Sequence, residues 1–203
     1  MSKKPIIVFE GIEGTGKSHH INNIAKYLKK KNKKFIQIRE PGGSKNSEKI
    51  RKLILNNKST FNKYTDLLLY LSARSENLEL IKNNIGKNII LIDRFSDSTI
   101  AYQHYGMGIN LKFINTINDH LLKNININFT FLNTTNLVNM KKRLMKRKKL
   151  NRYDKFNNIF YDRVQKGYIK ILNANPKKYM KIDSNLDIDY NEKIILNKID
   201  DLI

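Results

Sequence analysis

A glycine-rich loop between an apolar run and a helical pattern constrains the fold of this chain more than any other feature. The run PIIVFE, residues 5–10, leads directly into GIEGTGKS, residues 11–18, which fits the pattern G-x-x-x-x-G-K-[ST]. Apolar residues at three-to-four spacing follow the loop, as in an amphipathic helix. The glycines of such a unit let backbone N–H groups close around phosphate oxygens, and the helix presents its positive N-terminal end. The sequence therefore predicts a phosphate-binding site at this junction.

The loop is expected to bind the triphosphate of a purine nucleotide. Lys17 should reach the β- and γ-phosphates and act in catalysis, and Ser18 should place its hydroxyl on Mg²⁺. Glu13 is either a catalytic acid that faces a metal ion or an acceptor hydroxyl, or a solvated loop residue. The loop contains no arginine, so positive charge at the transferring phosphoryl group has to come from elsewhere. The residues expected to bind ATP are Gly11, Ile12, Glu13, Gly14, Thr15, Gly16, Lys17 and Ser18.

Four further β-rich runs alternate with helical patterns along the chain. They are residues 34–40, 88–93, 128–133 and 179–183. Strands that alternate with helices indicate a parallel sheet joined by right-handed crossovers. We therefore predict one α/β domain over residues 1–203, with a P-loop NTPase fold. Its five-stranded parallel sheet should carry helices on both faces.

Composition narrows the class of protein further. The chain has no cysteine, which excludes disulfides and thiolate metal sites. No apolar stretch approaches the roughly 18 residues that a membrane span needs. The N-terminal run reads as the first strand and not as a signal peptide, because it leads straight into the glycine loop. We expect a cytoplasmic protein without a membrane partner.

The third β-rich run ends in Asp93, and Arg94 follows it. A motor ATPase would place a second acid there to activate water, so this pair favours transfer to a bound anion over hydrolysis. Asp93 is a candidate Mg²⁺ ligand together with Ser18. An enzyme that moves phosphate to another phosphate also needs several cations around the acceptor. The candidates near strand ends are Arg39 or Arg51, Arg74 and Arg94.

Seven stretches together make the chain resemble the bacterial thymidylate kinases. They are FEGIEGTGKS (9–18), REPGG (39–43), EKIRKLIL (48–55), LLLYLSAR (67–74), DRFSDSTIAYQ (93–103), NRYD (151–154) and FYDRVQKGY (160–168). The resemblance implies a P-loop nucleoside monophosphate kinase that converts dTMP to dTDP with ATP and Mg²⁺. It also implies a homodimer. Arg94 and Arg51 would hold the acceptor phosphate, and Glu40 would lie near it with the metal ion.

The resemblance also implies how the acceptor base is read. Tyr70 would stack on thymine, an interaction worth about 1–3 kcal/mol per base. Arg74, four residues on and hence on the same helix face, would donate to a pyrimidine carbonyl. Thr99 and Gln103 would contact the base edge. Tyr102 would pack against the deoxyribose, where a 2′-hydroxyl would otherwise lie.

The basic stretch KKRLMKRKKLNRYD, residues 141–154, resembles the mobile lid of this family, which we place at about residues 141–156. Family members without an arginine in the phosphate loop supply it from the lid. The candidates are Arg147 and Arg152, of which Arg152 is better aligned through NRYD. Asn151 stands where the family often has Asp.

Two other functions remain open from the sequence. The chain could phosphorylate another pyrimidine monophosphate, such as dUMP or UMP; Arg74 donates only, which suits a carbonyl better than the amino group of cytosine. It could also be an ATP-dependent nucleic-acid-binding protein, since its formal net charge is +21. That excess is mostly scattered lysine and accompanies abundant Asn and Ile, which A/T-rich codons also favour. No specific nucleic-acid binding is expected.

Overall fold

A computed structural model describes residues 4–203, which form an α/β fold around one parallel sheet. The five strands are β1 (Ile6–Glu10), β2 (Phe35–Arg39), β3 (Ile89–Asp93), β4 (Phe129–Thr134) and β5 (Tyr179–Asp183). Their order across the sheet is β2–β3–β1–β4–β5, and all four pairings are parallel. The predicted five-stranded parallel sheet is confirmed.

Eight α-helices connect and cover the strands in the described part of the chain. They are α1 (Lys17–Lys30), α2 (Lys45–Leu55), α3 (Lys63–Asn84), α4 (Ser96–Thr99), α5 (Leu111–Leu121), α6 (Leu137–Met145), α7 (Asn158–Ala174) and α8 (Ile188–Leu202). Helix α4 runs on into a π-helical segment, Ile100–Gly106. Several helices begin where a polar side chain accepts from the first free N–H groups, as Asn62 does for α3.

Helices cover the sheet on both faces, as predicted. On one face, Phe9 and Phe131 of neighbouring strands stack with ring centroids 5.0 Å apart, in a core shared with α1 and α8. On the other face, Val8 and Ile92 pack with Ile81 of α3. Strands buried on both faces explain the nearly continuous apolar runs in the sequence.

The predicted lid region divides into two parts. Residues 141–145 belong to α6, whose Met140 and Leu144 are buried in the core formed with α7. Residues 146–152 are irregular, and a short 3₁₀ turn follows at Tyr153–Lys155. No helix within residues 4–203 combines the length and apolar character that crossing a membrane requires.

Candidate active site

The carboxyl ends of β1, β2 and β3 meet at one edge of the sheet. The amide of Glu40 donates to the carbonyl of Asp93 at 2.8 Å, and the amide of Arg94 donates to the carbonyl of Phe9 at 2.9 Å. A cleft of about 210 Å³ opens beside them. Six cationic and three acidic side chains line it, which suits anionic ligands.

Most of the sequence-predicted site residues line this one cleft. They are Glu13, Lys17, Ser18, Glu40, Arg51, Tyr70, Arg74, Asp93, Arg94, Thr99, Tyr102, Gln103 and Arg147. Arg39 lines it too and pairs with Glu48, while Nη1 of Arg51 donates to the carbonyl of Pro41. Arg152 and the loop residues Gly11, Ile12, Gly14, Thr15 and Gly16 are not part of the lining.

The phosphate loop has the backbone that its glycines permit. A Cβ at Gly11 would clash with the backbone carbonyl of Asn133, and Gly16 adopts φ 78° directly before α1. The Nζ of Lys17 donates to the carbonyls of Gly11 and Ile12, each at 2.8 Å. Burial, and then the charge of Arg94, lowers the pKa of Lys17 to about 7. Phosphate anions at the loop would favour the charged form of this lysine.

Ser18 and Asp93 meet at the mouth of the loop, as the metal prediction requires. The hydroxyl of Ser18 donates to Oδ2 of Asp93 at 3.2 Å. No three His, Cys, Asp or Glu side chains within residues 4–203 are grouped so that they could hold a metal ion. A hydroxyl and one carboxylate nevertheless fit Mg²⁺, which binds few protein oxygens and takes the rest from phosphates and water.

Arg94 lies at the centre of the cleft in a strained backbone conformation. Its φ of 67° is uncommon for a residue other than glycine. Its Nη2 donates to Oε1 of Glu13 at 2.8 Å, and its guanidinium carbon lies 5.2 Å from the ring centroid of Tyr102. Tyr102 donates a short hydrogen bond to the other oxygen of Glu13.

Glu13 is therefore not a solvated loop residue. Burial alone would raise the pKa of the Glu13 carboxyl, but the charges of Arg94 and Lys17 and the Tyr102 hydrogen bond lower it below its usual range. The acid in the phosphate loop is thus ionised and faces a cation. The sequence analysis named a metal ion or an acceptor hydroxyl as the partner of this acid, whereas in the structure the partner is Arg94.

Arg74, which also lines the cleft, is buried and held at two points. Its Nε donates to Oε2 of Glu40 at 2.8 Å, and its Nη1 donates to Oδ1 of Asn118 at 2.9 Å. Burial raises the pKa of Glu40, although the charge of Arg74 opposes the shift. Among the buried atoms without a hydrogen-bond partner in the described chain are Oε1 of Glu40, Nδ2 of Asn118 and Oγ1 of Thr99. Such groups require a ligand or water to satisfy them.

Three tyrosine side chains also line the cleft. Tyr70 and Tyr153 pack edge to face with centroids 5.7 Å apart, and Tyr102 packs against Tyr153 at 5.9 Å. Nε2 of Gln103 donates to the Tyr153 hydroxyl at 3.4 Å. The cleft therefore combines aromatic rings, on which a planar base can stack, with polar side chains that can bind the edge of the base.

The two lid arginines are placed differently. Nη1 of Arg147 donates to Asp154 at 2.7 Å, and Arg147 lines the cleft while remaining 41% exposed. Arg152 pairs with the buried Asp66, and its Nε donates to the carbonyl of Ile54 at 3.1 Å. The alignment with NRYD favours Arg152, whereas the geometry puts Arg147 at the site.

Sequence reasoning missed five side chains that support the cleft. Glu10, Ser98 and Tyr168 form a buried network behind Arg94, and all three lie within the quoted motifs. Asn118 holds Arg74, and Arg143 bridges the carbonyls of Gly14 and Ser184 at 2.9 and 2.6 Å. An acid at the end of a buried strand is a readable signal for Glu10. Asn118 and Arg143 could not be identified as site residues from the sequence, because only folding brings α5 and α6 to the cleft.

Comparisons with known proteins agree on one family. A family model described as thymidylate kinase matches residues 9–195. The chain is 38% identical over 186 residues to a thymidylate kinase of Thermosipho africanus, covering 90% of this chain and 91% of that one. It is 38% identical over 202 residues to a thymidylate kinase of Mycoplasma capricolum, covering 95% of each. The crystal structure of thymidylate kinase from Ehrlichia chaffeensis superimposes with a TM-score of 0.78 at 28% identity, covering 98% of this chain and 99% of that one.

Proposed function

The chain belongs to the thymidylate kinase family and is a kinase that phosphorylates dTMP, and we propose that it uses ATP as donor, giving dTDP and ADP. The observation that carries the site assignment is the position of Arg94. This cation pairs with an acid of the phosphate loop and lines the same cleft as Arg74. Donor and acceptor phosphates can therefore meet at one guanidinium.

Catalysis would rest on positioning and charge stabilisation, since phosphoryl transfer asks for little covalent chemistry. Backbone N–H groups of residues 11–18 would hold the triphosphate of ATP, and Lys17 would move from the loop carbonyls to the β- and γ-phosphates. Arg94 and Arg51 would hold the phosphate of dTMP in line with the γ-phosphate. Glu13 would keep the Arg94 guanidinium in plane through Nη2.

The base would occupy the pocket end bounded by Tyr70 and Arg74. Tyr70 would stack on thymine, and Arg74 would donate to a carbonyl oxygen. Thr99 supplies an unpartnered buried hydroxyl for the base edge, and Gln103 a further amide. Tyr102, whose ring lies under Arg94, would fill the space that a ribose 2′-hydroxyl needs. Glu40 would act through Arg74, which it holds at 2.8 Å.

The hydroxyl of Ser18 and the carboxylate of Asp93 would hold Mg²⁺, with phosphate oxygens and water as its other ligands. When bound, the ion neutralises charge on the β- and γ-phosphate oxygens. Residues 141–156 would act as a mobile lid of the single kinase domain, residues 1–203. Arg147 is the arginine best placed for the transferring group, because it lines the cleft.

We also propose a cytoplasmic homodimer that pairs through α3. Tyr64 and Leu68, one turn apart on this helix, are 49% and 50% exposed. Phe113 of α5 is 42% exposed and packs edge to face on Tyr64, with centroids 6.3 Å apart. Three large apolar side chains on one surface are typical of a protein–protein contact.

A coupled ADP-release assay with ATP and Mg²⁺ tests the function. The acceptors are dTMP, dUMP, dCMP, UMP and none. Fast turnover with dTMP, slower turnover with dUMP and little with dCMP is expected, since one methyl group separates dTMP from dUMP by only about 10–200-fold. Preference for UMP would make the chain a kinase of another pyrimidine nucleotide. ADP release without any acceptor would reject the acceptor site.

A further inference from the structure

Behind Arg94 lies a buried carboxylate that has no role in the proposed mechanism. Glu10, the last residue of β1, is fully buried. Its Oε1 accepts from the amides of Phe95 at 2.7 Å and Ser98 at 3.2 Å. Its Oε2 accepts from the hydroxyls of Ser98 at 2.6 Å and Tyr168 at 3.0 Å. One carboxylate thus receives four hydrogen bonds from the segment that follows Arg94 and from α7.

Two of those four donors also touch Arg94. Nη1 of Arg94 donates to the Ser98 hydroxyl at 3.4 Å and to the Tyr168 hydroxyl at 3.3 Å. The two hydroxyls are 2.7 Å apart. Each has one hydrogen, and Glu10 can only accept when it is ionised, as it is at about pH 8, above its raised pKa of about 7. At that pH both hydroxyl hydrogens turn toward Oε2 of Glu10. Their lone pairs are then left for the N–H groups of Arg94.

We propose that Glu10, Ser98 and Tyr168 form a positioning relay that fixes the direction of the Arg94 guanidinium toward the acceptor phosphate. The relay holds Nη1 from behind, while Glu13 holds Nη2 at 2.8 Å from the phosphate-loop side. The same carboxylate fixes the backbone just after Arg94, which has the strained φ of 67°. Glu10 touches no substrate in this arrangement and acts through Arg94. The inference rests on the proposed function of Arg94 as the acceptor-phosphate ligand.

Glu10→Gln tests the relay with almost no change in shape. The side-chain oxygen of glutamine can still accept from the Phe95 and Ser98 amides. Its NH₂ group, however, donates to the two hydroxyls, whose hydrogens then turn toward the N–H groups of Arg94. We expect the KM for dTMP to rise about tenfold or more, because a charge-assisted contact is lost. The KM for ATP and kcat at saturating dTMP should stay within about threefold of the wild type.

Tyr168→Phe and Tyr161→Phe form a matched pair on α7. Both tyrosines are buried, but Tyr161 donates to the carbonyl of Tyr153 at 2.7 Å and does not contact Arg94. Tyr168→Phe should raise the KM for dTMP, and Tyr161→Phe should leave it within about twofold. The effects of Glu10→Gln and Tyr168→Phe should not add in the double variant, because the two residues act on one guanidinium.

Three outcomes separate the possibilities. If wild-type protein does not turn over dTMP, the proposed function fails. If the wild type is active and Glu10→Gln leaves the KM for dTMP unchanged, or raises both KM values equally, the relay is wrong. Circular dichroism checks folding of each variant. Should Glu10→Gln not fold, Ser98→Ala and Tyr168→Phe decide: unchanged KM values for dTMP in both would overturn the relay.

Discussion

At the scale of single residues, the cleft is a set of cations given fixed directions by buried acceptors. Arg74 illustrates this, since its Nε donates to Glu40 and its Nη1 donates to Asn118. Arginine loses side-chain entropy when it is fixed, and these two contacts fix it before any ligand arrives. The remaining Nη2 is then the donor left for a base carbonyl. If Arg74 reads the base as proposed, we expect Asn118, on α5, to affect base recognition although it does not line the cleft.

Asn118→Leu should loosen that recognition. The substitution keeps the number and branching of the side-chain heavy atoms but removes the acceptor for Nη1, so the KM for dTMP should rise about tenfold and the preference for dTMP over dCMP should narrow. Asn118→Asp is the comparison variant: it keeps an oxygen that accepts from Nη1 and replaces Nδ2, which has no partner in the described chain, by a second oxygen, with a negative charge that pairs with Arg74. Steady-state kinetics with both acceptors measure the effect. An unchanged dTMP-to-dCMP ratio in Asn118→Leu would contradict this role.

Glu10 also links the site to stability. Burial and the neighbouring charge of Asp97 raise the pKa of Glu10 from 4.5 to about 7. Between those values the folded protein holds a proton that the unfolded chain has released. The stabilising contribution is therefore complete below pH 4.5 and lost as pH rises through 7, amounting to about 3 kcal/mol.

Replacing Glu10 by glutamine should remove this pH dependence. Urea unfolding at about pH 5 and pH 8 should show a smaller loss of unfolding free energy with rising pH in Glu10→Gln than in the wild type. Asp97 and Lys17 lie near Glu10 and titrate in both proteins, and Arg94 stays charged in both, so the difference between the two pH profiles isolates Glu10. Parallel pH profiles would show that Glu10 does not change its protonation on folding. Ionised Glu10 lowers the unfolding free energy at neutral pH and above, and a group that costs stability in this way is typical of a functional site.

The residue scale also shows where sequence reasoning stops. The phosphate loop follows one predicted strand, and Asp93–Arg94 ends another. Because the carboxyl ends of parallel strands lie at one edge of the sheet, the sequence predicts that Lys17, Ser18 and Arg94 lie close together. The pairing of Glu13 with Arg94 follows from charge once that edge is known. Asn118 could not be predicted, since a polar residue in a helix is usually solvated, and its burial depends on how α3 packs on α5.

At the scale of elements, the lid separates two arginines that the sequence presents as equivalent candidates. Arg147 belongs to the irregular stretch 146–152 and lines the cleft. Arg152 starts the next turn and pairs with Asp66, whose side chain is 1% exposed. Asp154 is equally buried, but it also accepts from the backbone amide and Nδ2 of Asn151, so the exposed Arg147 can leave this pair without stranding the acid. Opening the Arg152–Asp66 pair leaves a buried charge with only the Tyr153 hydroxyl as donor within the described chain.

Arg147→Ala and Arg152→Ala should therefore fail in different ways. Arg147→Ala should lower kcat by about 10³-fold with near-normal unfolding free energy, because an arginine on the transferring phosphoryl group is worth that much. Arg152→Ala should cost about 3 kcal/mol of stability, because it strands Asp66. Its kcat should change far less. Single-turnover kinetics and urea unfolding of both variants measure the two effects, and the reverse assignment would follow if Arg152→Ala alone lost kcat.

The order of elements was predictable because each strand is a short apolar run between helical patterns. Strands predicted at 5–10, 88–93 and 179–183 agree with the observed β1, β3 and β5 to within one residue at each end. The π-helical segment Ile100–Gly106 was not predicted. Its sequence, IAYQHYG, has no pattern that distinguishes it from an α-helix. The wider turns of this π-helix occur where the adjacent residues Tyr102 and Gln103 are both buried and both line the cleft.

At the scale of the whole molecule, the exposed apolar face of α3 leads to a prediction about assembly. Leu68→Glu would place a charge at the centre of the proposed dimer contact, so sedimentation should show a shift from dimer to monomer. Lys30→Glu, at an exposed position of α1 on the other face of the sheet, makes a similar change of charge away from this contact and is the control. A wild-type monomer at assay concentrations would reject the dimer. An unshifted Leu68→Glu dimer would place the contact on another face.

The net charge of +21 gives the last prediction, because salt dependence can show whether this charge attracts the substrates. A positive field with six cations at the cleft should attract dTMP and ATP, and salt screens such attraction with a Debye length of about 10 Å at 0.1 M. The KM for dTMP should therefore rise several-fold between about 0.05 and 0.5 M NaCl while kcat changes little. Sucrose at equal osmolality is the control. If KM is flat with salt, the scattered lysines do not serve substrate capture, and codon bias suffices to explain them. If duplex DNA binds with a steep salt slope, near −0.9 per phosphate contacted, the excess charge serves a second ligand.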